Sequence, residues 1–181
     1  MSAPSPDASL RELFELFAGA VQADPPPVAT VPSDALPQSY QRLLVHENHM
    51  TLALEEFFGK PVRLHVIARR QRDKEYARMI LLSLDGTNQF VEFGIVRLRL
   101  DVLNDEVRSE ILAGVTPLGR ILVEHDVLRR IQPTHYLEIT PHEQLRGWLG
   151  ITSTEPIYGR LATIYCDGLP AIDLLEVVYA P

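Results

Sequence analysis

Two ionisable residues occupy core-facing positions in segments whose patterns predict β-strands. In EYARMILL, alternation by two residues places Arg78 on the same sheet face as Tyr76 and Ile80. In AIDLLEVVYA, the same alternation places Glu176 on the face of Val178. A charged group on an apolar face is costly unless it is paired. These residues therefore predict either a buried ion pair or a polar ligand site.

Two further strand patterns contain the same anomaly. Glu92 in QFVEFGIV and Arg160 in IYGRLATI share their faces with apolar neighbours. Arg78 could pair with Glu176 or with Glu92 as a structural ion pair on the sheet. Four such groups equally suit a polar pocket inside the domain. The spacing alone leaves both interpretations open.

The segment TPLGRIL could add backbone donors to such a pocket. Pro117 suits the first position of a helix because no N–H group is needed there, and Gly119 allows another group to approach the backbone closely. Free N–H groups around Leu118 and Gly119 would form an anion site. Together with Arg78 they would suit a compact dianion that also carries a hydroxyl or ether oxygen.

The sequence context of the other reactive side chains indicates structural roles for them. Cys166 is the single cysteine, which excludes an intramolecular disulfide, and a packed strand position is favoured over a nucleophile. His46 and His49 have the spacing of half a metal site, but without matching ligands a helix-boundary or capping role is favoured. We expect neither a metal nor an organic cofactor.

Composition limits the classes of partner. The chain has 181 residues, of which 46% are hydrophobic, a net charge of -7 and a pI of about 5.3. These values predict one compact domain that binds neither nucleic acid nor an anionic membrane, so an anionic ligand would require locally concentrated arginines. No apolar run reaches the ~20 residues of a membrane span, and we expect a cytoplasmic monomer.

The chain divides into two parts. Within residues 1–37, the pattern predicts a helix over 8–22 followed by a proline-rich strap or linker. Residues 38–181 are predicted to form the functional domain. The domain predicts an α+β fold, with helices packed over a six-stranded, mostly antiparallel sheet. Its strands are VRLHVIARR, EYARMILLSL, QFVEFGIVRLRL, HDVLRRIQPTHYLEI, IYGRLATIYC and AIDLLEVVYA.

Five separated segments resemble the chorismate-pyruvate lyase family over about residues 38–181. They are LLVHENHMTLALEEFFGKPVRLHVI, YARMILL, TPLGRIL, YGRLATI and GLPAIDLLEVV. The resemblance implies a six-stranded antiparallel sheet, and an internal cavity under helical flaps. It also implies cleavage of chorismate to 4-hydroxybenzoate and pyruvate without a cofactor.

The resemblance also implies roles for individual residues. Arg78 falls on the arginine that pairs with the ring carboxylate, and Met50 and Leu118 fall on positions whose backbone groups contact that carboxylate. Glu176 falls on the glutamate beside the ether oxygen that is cleaved, and Arg160 on a supporting arginine. Gly119 and Glu92 complete the predicted binding residues.

The sequence departs from the family at two positions. Ile95 follows Gly94 where the better-studied branch has an arginine, and the run from Gly168 to Glu176 is one residue longer, so the match of Glu176 requires an adjustment of the turn.

The main hypothesis from sequence is a lyase in which Arg78 orients the substrate and Glu176, resisting ionisation on its apolar face, acts as the general acid. The alternative is a non-catalytic sensor, because ligand-binding domains of some bacterial transcription regulators share this type of fold. The short segment before residue 38 speaks against an upstream DNA-binding domain. A third interpretation is a structural module in which the buried Arg and Glu residues only pair with each other.

Overall fold

The computed structural model describes residues 5–21 and 24–180. Within these residues the chain forms six α-helices and seven β-strands. The helices are α1 (Pro6–Glu15), α2 (Gln38–Leu44), α3 (Met50–Phe58), α4 (Asp105–Ala113), α5 (Leu118–Glu124) and α6 (Glu143–Leu149). The strands are β1 (Val28–Val31), β2 (Val62–Arg72), β3 (Glu75–Leu84), β4 (Phe90–Arg99), β5 (Arg129–Ile139), β6 (Ile157–Cys166) and β7 (Leu169–Val178). The predicted end of the first helix at residue 22 lies outside the described residues.

All seven strands belong to one antiparallel sheet in the order β1-β5-β6-β7-β4-β3-β2. The α+β class and the antiparallel sheet are thus confirmed. Short connections such as Asp167-Gly168, both with positive φ, join neighbouring strands as hairpins. No helix in residues 5–21 or 24–180 is long and apolar enough to cross a membrane.

The sheet has one strand more than predicted, because β1 lies in the proline-rich segment. Val28–Val31 pairs with β5, Val28 lying opposite Ile139. The prolines stand at positions 25–27 and 32, on either side of this segment, so all four residues of VATV keep their N–H groups for the ladder. The proline composition had predicted only a strap or linker here, and this prediction is wrong for these four residues, which form a strand.

The two faces of the sheet are covered by different helices. On one face, α1 and α6 pack on Ala77, Met79 and Leu81 of β3 and on their neighbours. On the other face, α2 and α3 cover one part of the sheet, and α4 and α5 cover the rest. Alternation in β3 directs Arg78 to this second face. The core is therefore continuous on the first face and divided between two helix pairs on the second.

Helix α1 belongs to the core, although it precedes the predicted domain boundary. Leu10, Leu13, Phe14 and Phe17 are buried in the cluster that contains β3 and β4. The Phe14 and Phe93 rings lie 6.2 Å apart between centroids. The division at residue 38 remains a prediction, but residues on both sides of it contribute to one sheet and one core.

Because Phe14 is buried against the sheet, we expect Phe14→Ala to lower the free energy of unfolding by about 3–5 kcal/mol. Urea denaturation measures this loss, and Glu15→Ala, an exposed change one residue away, should alter stability by no more than about 0.5 kcal/mol. Equal stabilities of the two variants would contradict the packing of α1.

Candidate functional site

A small cavity lies where the two helix pairs of the second face meet. Its volume is about 50 Å³, which is space for a few water molecules. The sheet forms the floor, and the N-terminal ends of α3 and α5 form the roof. The lining residues from the sheet are Leu64, Arg78, Ile80, Leu82, Glu92, Gly94, Val96, Ile164, Leu174, Leu175 and Glu176, and those from the helix ends are His49, Met50, Thr51, Pro117, Leu118 and Gly119.

Six of the seven site residues predicted from sequence line this cavity. They are Arg78, Glu176, Met50, Leu118, Gly119 and Glu92. The seventh, Arg160, is fully buried beside Glu176 and does not line it. Residues from three strands and two helices thus converge on one place, and their individual roles in binding remain predictions.

Arg78 is a buried cation without a carboxylate partner among the described residues. The residue is 1% exposed, and within residues 5–21 and 24–180 its side chain makes one hydrogen bond, from Nη1 to the carbonyl oxygen of Ile111, at 3.5 Å. Its Nε atom and the neighbouring Tyr76 hydroxyl are both buried without partners. Burial lowers the pKa of Arg78, and Tyr76 partly offsets this effect. An arginine nevertheless remains charged, so this guanidinium is a buried positive charge with no counter-ion in the described part of the chain.

Glu176 pairs with Arg160, a pairing that the sequence analysis did not consider. The Arg160 Nε donates to Glu176 Oε2 at 2.6 Å. The same guanidinium donates to the carbonyl oxygens of Leu44, His46 and Asn48 in the loop between α2 and α3. Glu176 is therefore one member of an ion pair rather than the isolated, uncharged acid that was expected.

A β-bulge brings these two residues opposite each other. The hairpin starts with Cys166 opposite Leu169, and the register shifts by one residue between Ile164 and Tyr165. Arg160 consequently lies opposite Glu176.

Glu92 is the second buried acid of the site. It is 4% exposed, its Oε2 has no hydrogen-bond partner, and no cation within the described residues forms a salt bridge with it. Burial raises its pKa well above the usual range, the charge of Glu176 raises it further, and Arg160 offsets only part of this. Its surroundings therefore favour the protonated form of Glu92.

His49 lies at a helix boundary, as the sequence analysis favoured, and links the N-terminal end of α3 to the start of β5. It occupies the N-cap position of α3 without capping it through its side chain, and its Nε2 accepts a hydrogen bond from Arg129 Nε at 2.6 Å. Burial, and next the charges of Arg129 and Arg160, lower the pKa of His49 to about 4. His46 instead bonds the carbonyl oxygen of Leu43. The described residues contain no cluster of three potential metal ligands.

Two positions of β4 decide the space above the sheet. Gly94 lies opposite Ile80 and Glu176 in the sheet, and an added Cβ would come within 3.2 Å of Ile80 and 3.4 Å of Glu92. The missing side chain leaves part of the cavity open. Ile95 points to the opposite face, into the core with α1. The side chain of an arginine at position 95 would point away from the cavity unless the strand bent.

Cys166 is buried in the core. Burial raises the pKa of its thiol to about 11. This agrees with a packing role, because a nucleophile would need the thiolate.

Comparisons with known proteins bear on the fold. No protein-family model matches the sequence, and no curated protein matches it. The structure is similar to the effector domain of PhnF from Mycobacterium smegmatis, with a TM-score of 0.59 and 14% identity, over 77% of this chain and 93% of that one. A longer PhnF structure matches with a TM-score of 0.58 and 14% identity, over 77% and 67% of the two chains. These likenesses establish a shared fold.

The prediction of a chorismate-pyruvate lyase is wrong on this comparison. The similar structures are those of PhnF and of its effector domain, and neither is described as a lyase. The assignments to lyase chemistry and to chorismate or ubiquinone metabolism are withdrawn with it. The ligand-binding alternative agrees with this fold better.

The raised pKa of Glu92 predicts a pH-dependent stability difference. In the unfolded chain Glu92 loses its proton at about pH 4.3, whereas the folded protein loses it at a higher pH, so stability falls as the pH rises from the unfolded pKa towards the folded pKa. Glu92→Gln lacks this titration. Its free energy of unfolding relative to the wild type should therefore increase by up to about 1.4 kcal/mol per pH unit between pH 5 and 7. Parallel urea-denaturation curves over this range would contradict a neutral Glu92.

Gly119 permits the contact between α5 and α3. A Cβ at this position would lie 2.7 Å from His49 Cβ and 3.1 Å from Thr51 Oγ1. Because neither atom is at the end of a flexible chain, Gly119→Ala should cost about 1–3 kcal/mol in urea denaturation. In the control Gly147→Ala, the new methyl meets no atom within 4 Å and should add up to about 1 kcal/mol as a better helix former. Stabilisation by both changes would contradict the close contact.

Proposed function

We propose that this protein is a non-catalytic, sensor-type domain that binds a small aromatic carboxylic acid in the cavity above Arg78. The observation that carries the proposal is the buried, unpaired guanidinium of Arg78 beside the N-terminal residues of α3 and α5. Planar carboxylates match the fork of donors on an arginine, and they would replace the missing partner.

Because the chain is acidic overall, the positive charge of Arg78 makes the cavity a distinct place for an anion to bind. A net charge of -7 repels anions in general, so an anion gains attraction only inside the cavity, where the dielectric is low. The apolar part of the lining, such as Ile80, Leu82 and Leu174, suits the ring of an aromatic acid.

The volume of the cavity supports binding coupled to movement of the helices. A volume of about 50 Å³ is smaller than a typical ligand pocket of about 300–1,000 Å³. The roof consists of helix ends, whereas the floor is a continuous sheet. Binding would therefore displace the ends of α3 and α5, and such a displacement is what a sensor domain transmits.

The purely structural interpretation required Arg78 to pair with Glu176 or Glu92. Neither pair forms: Glu176 is bonded to Arg160, and Glu92 makes no salt bridge in the described part of the chain. A residue kept only for stability would have a partner, because an uncompensated buried charge is costly.

Two arginine variants separate a binding role from a structural role. Arg78→Met removes an uncompensated charge, so the free energy of unfolding should rise by about 1 kcal/mol or more. Arg160→Met leaves Glu176 and three loop carbonyls without their partner, so stability should fall by about 3–5 kcal/mol. Urea denaturation without added ligand measures both changes. A large loss in Arg78→Met would indicate a structural arginine and count against the proposal.

Calorimetric titration with benzoate tests the binding itself. Wild-type protein should bind benzoate more tightly than benzamide, which has the same shape without the charge, and Arg78→Met should weaken benzoate binding by at least about tenfold. The affinity for benzamide should change little in Arg78→Met. Equal affinities for the two probes, or unchanged benzoate binding in Arg78→Met, would overturn the proposal.

A further inference from the structure

We propose that the free edge of strand β2 is a docking surface for an extended acidic peptide of a partner protein, which adds to the sheet as one further strand. The surface consists of residues 68–72, which we call the docking edge. This inference is independent of the proposed function, because it concerns the edge of the sheet and not the cavity above Arg78.

The two edges of the sheet differ in length and protection. The sheet ends in β1 on one side and in β2 on the other. Strand β1 has four residues between prolines, whereas β2 has 11 residues and contains no proline. An edge strand directs the N–H and C=O groups of every second residue away from the sheet, and another chain can pair with them. Strand β2 is therefore the longer and less protected edge.

The docking edge is open to a partner. Residues 69–72 are exposed. Within residues 5–21 and 24–180, the backbone of β2 makes one hydrogen bond outside its pairing with β3, from the N–H of Val62 to Glu55. A β-bulge at Ile67 interrupts the pairing with β3 and separates that end of the strand from the docking edge. The polar backbone groups that point outwards from the docking edge are thus available for pairing.

Three arginines give the docking edge a positive charge. Arg69, Arg70 and Arg72 form no salt bridge in the described part of the chain. Arg63, near the other end of the same strand, pairs with Asp85 at 2.7 Å. Because the whole chain has a net charge of -7, the docking edge is a local exception to its acidic character.

The backbone edge and the positive charge together specify the class of partner. An added strand supplies main-chain donors and acceptors, and its carboxylates would be the counter-ions of the arginines. A nucleic acid could match the charge, but it has no amide backbone, and the net charge of the chain repels it. A second copy of β2 could match the backbone, but it would set arginine beside arginine. An acidic peptide meets both requirements.

The register of β2 defines the sequence pattern of the peptide. Arg70 lies opposite Ala77, and it shares the first face of the sheet with Arg72. Arg69 lies opposite Arg78, on the second face. An antiparallel partner therefore needs carboxylates at positions i, i+2 and i+3. The peptide TEVEEVT places its glutamates opposite the three arginines and its valines opposite the other two positions of the docking edge.

The experiment measures the binding of fluorescein-labelled TEVEEVT to the full chain by fluorescence anisotropy. We expect this peptide to bind at least about tenfold more tightly than TKVKKVT, in which lysines replace the glutamates. Arg70→Glu should weaken the binding of TEVEEVT by at least about fivefold. The matched control is Arg11→Glu, which reverses the same charge at an exposed position of α1 and should change the affinity by less than about twofold. In the double variant Arg70→Glu/Arg72→Glu, the preference should reverse in favour of TKVKKVT.

Two N-methylated forms of TEVEEVT test the backbone pairing separately from the charge. One form is methylated at the amides of the odd residues, and the other at those of the even residues. Because only every second amide of an added strand faces β2, one form should bind at least about tenfold more weakly, whereas the other should keep most of its affinity.

Several results would overturn the inference. They are no binding of TEVEEVT at up to about 1 mM protein, equal affinities for the glutamate and lysine peptides, and equal losses in the two methylated forms. Binding of a short DNA duplex but of neither peptide would also overturn it and would assign the arginines to nucleic acid. The proposed function is tested separately, by benzoate binding at Arg78, and it stands or falls without these results.

Discussion

The ion pair between Arg160 and Glu176 is the interaction on which the site depends. Arg160 is fully buried, and its guanidinium joins the sheet to the loop between α2 and α3 through three carbonyl oxygens. It also forms the ion pair with Glu176. Arg78 is consequently left without a counter-ion, and Glu92 is left without a cation. One satisfied pair therefore leaves two groups of the cavity lining, Arg78 and Glu92, without an oppositely charged partner among the described residues.

The roof of the cavity is held by contacts between α3 and α5. Gly119 lies against His49, and Arg120 of α5 forms a salt bridge with Glu55 of α3. The sheet below is braced on its other face by α1 and α6, so the floor is the more rigid part. A ligand larger than the present volume must act on the roof. A local binding event can thereby become a movement of helices without any change in the sheet.

The failure of the lyase prediction has a physical reason. The motif residues recognised in the sequence specify where a polar cavity lies, because they are strand positions facing one pocket. They do not specify whether chemistry occurs there. The same fold carries effector domains, and function depends on the charge state and pairing of the site rather than on the fold. The acid assigned as the proton donor, Glu176, is ion-paired, whereas Glu92 is the acid whose pKa burial raises.

The sequence by itself determined the class of the fold and the face on which Arg78, Glu92, Arg160 and Glu176 lie, because alternation along a strand is a local property of the chain. It did not reveal β1, where four residues form a ladder between prolines. Only the tertiary structure decided which charged groups pair. An uninterrupted hairpin would set Arg160 opposite Leu175, and one bulge moves it to Glu176. Register shifts of this kind depend on packing across the whole sheet, and no local pattern encodes them.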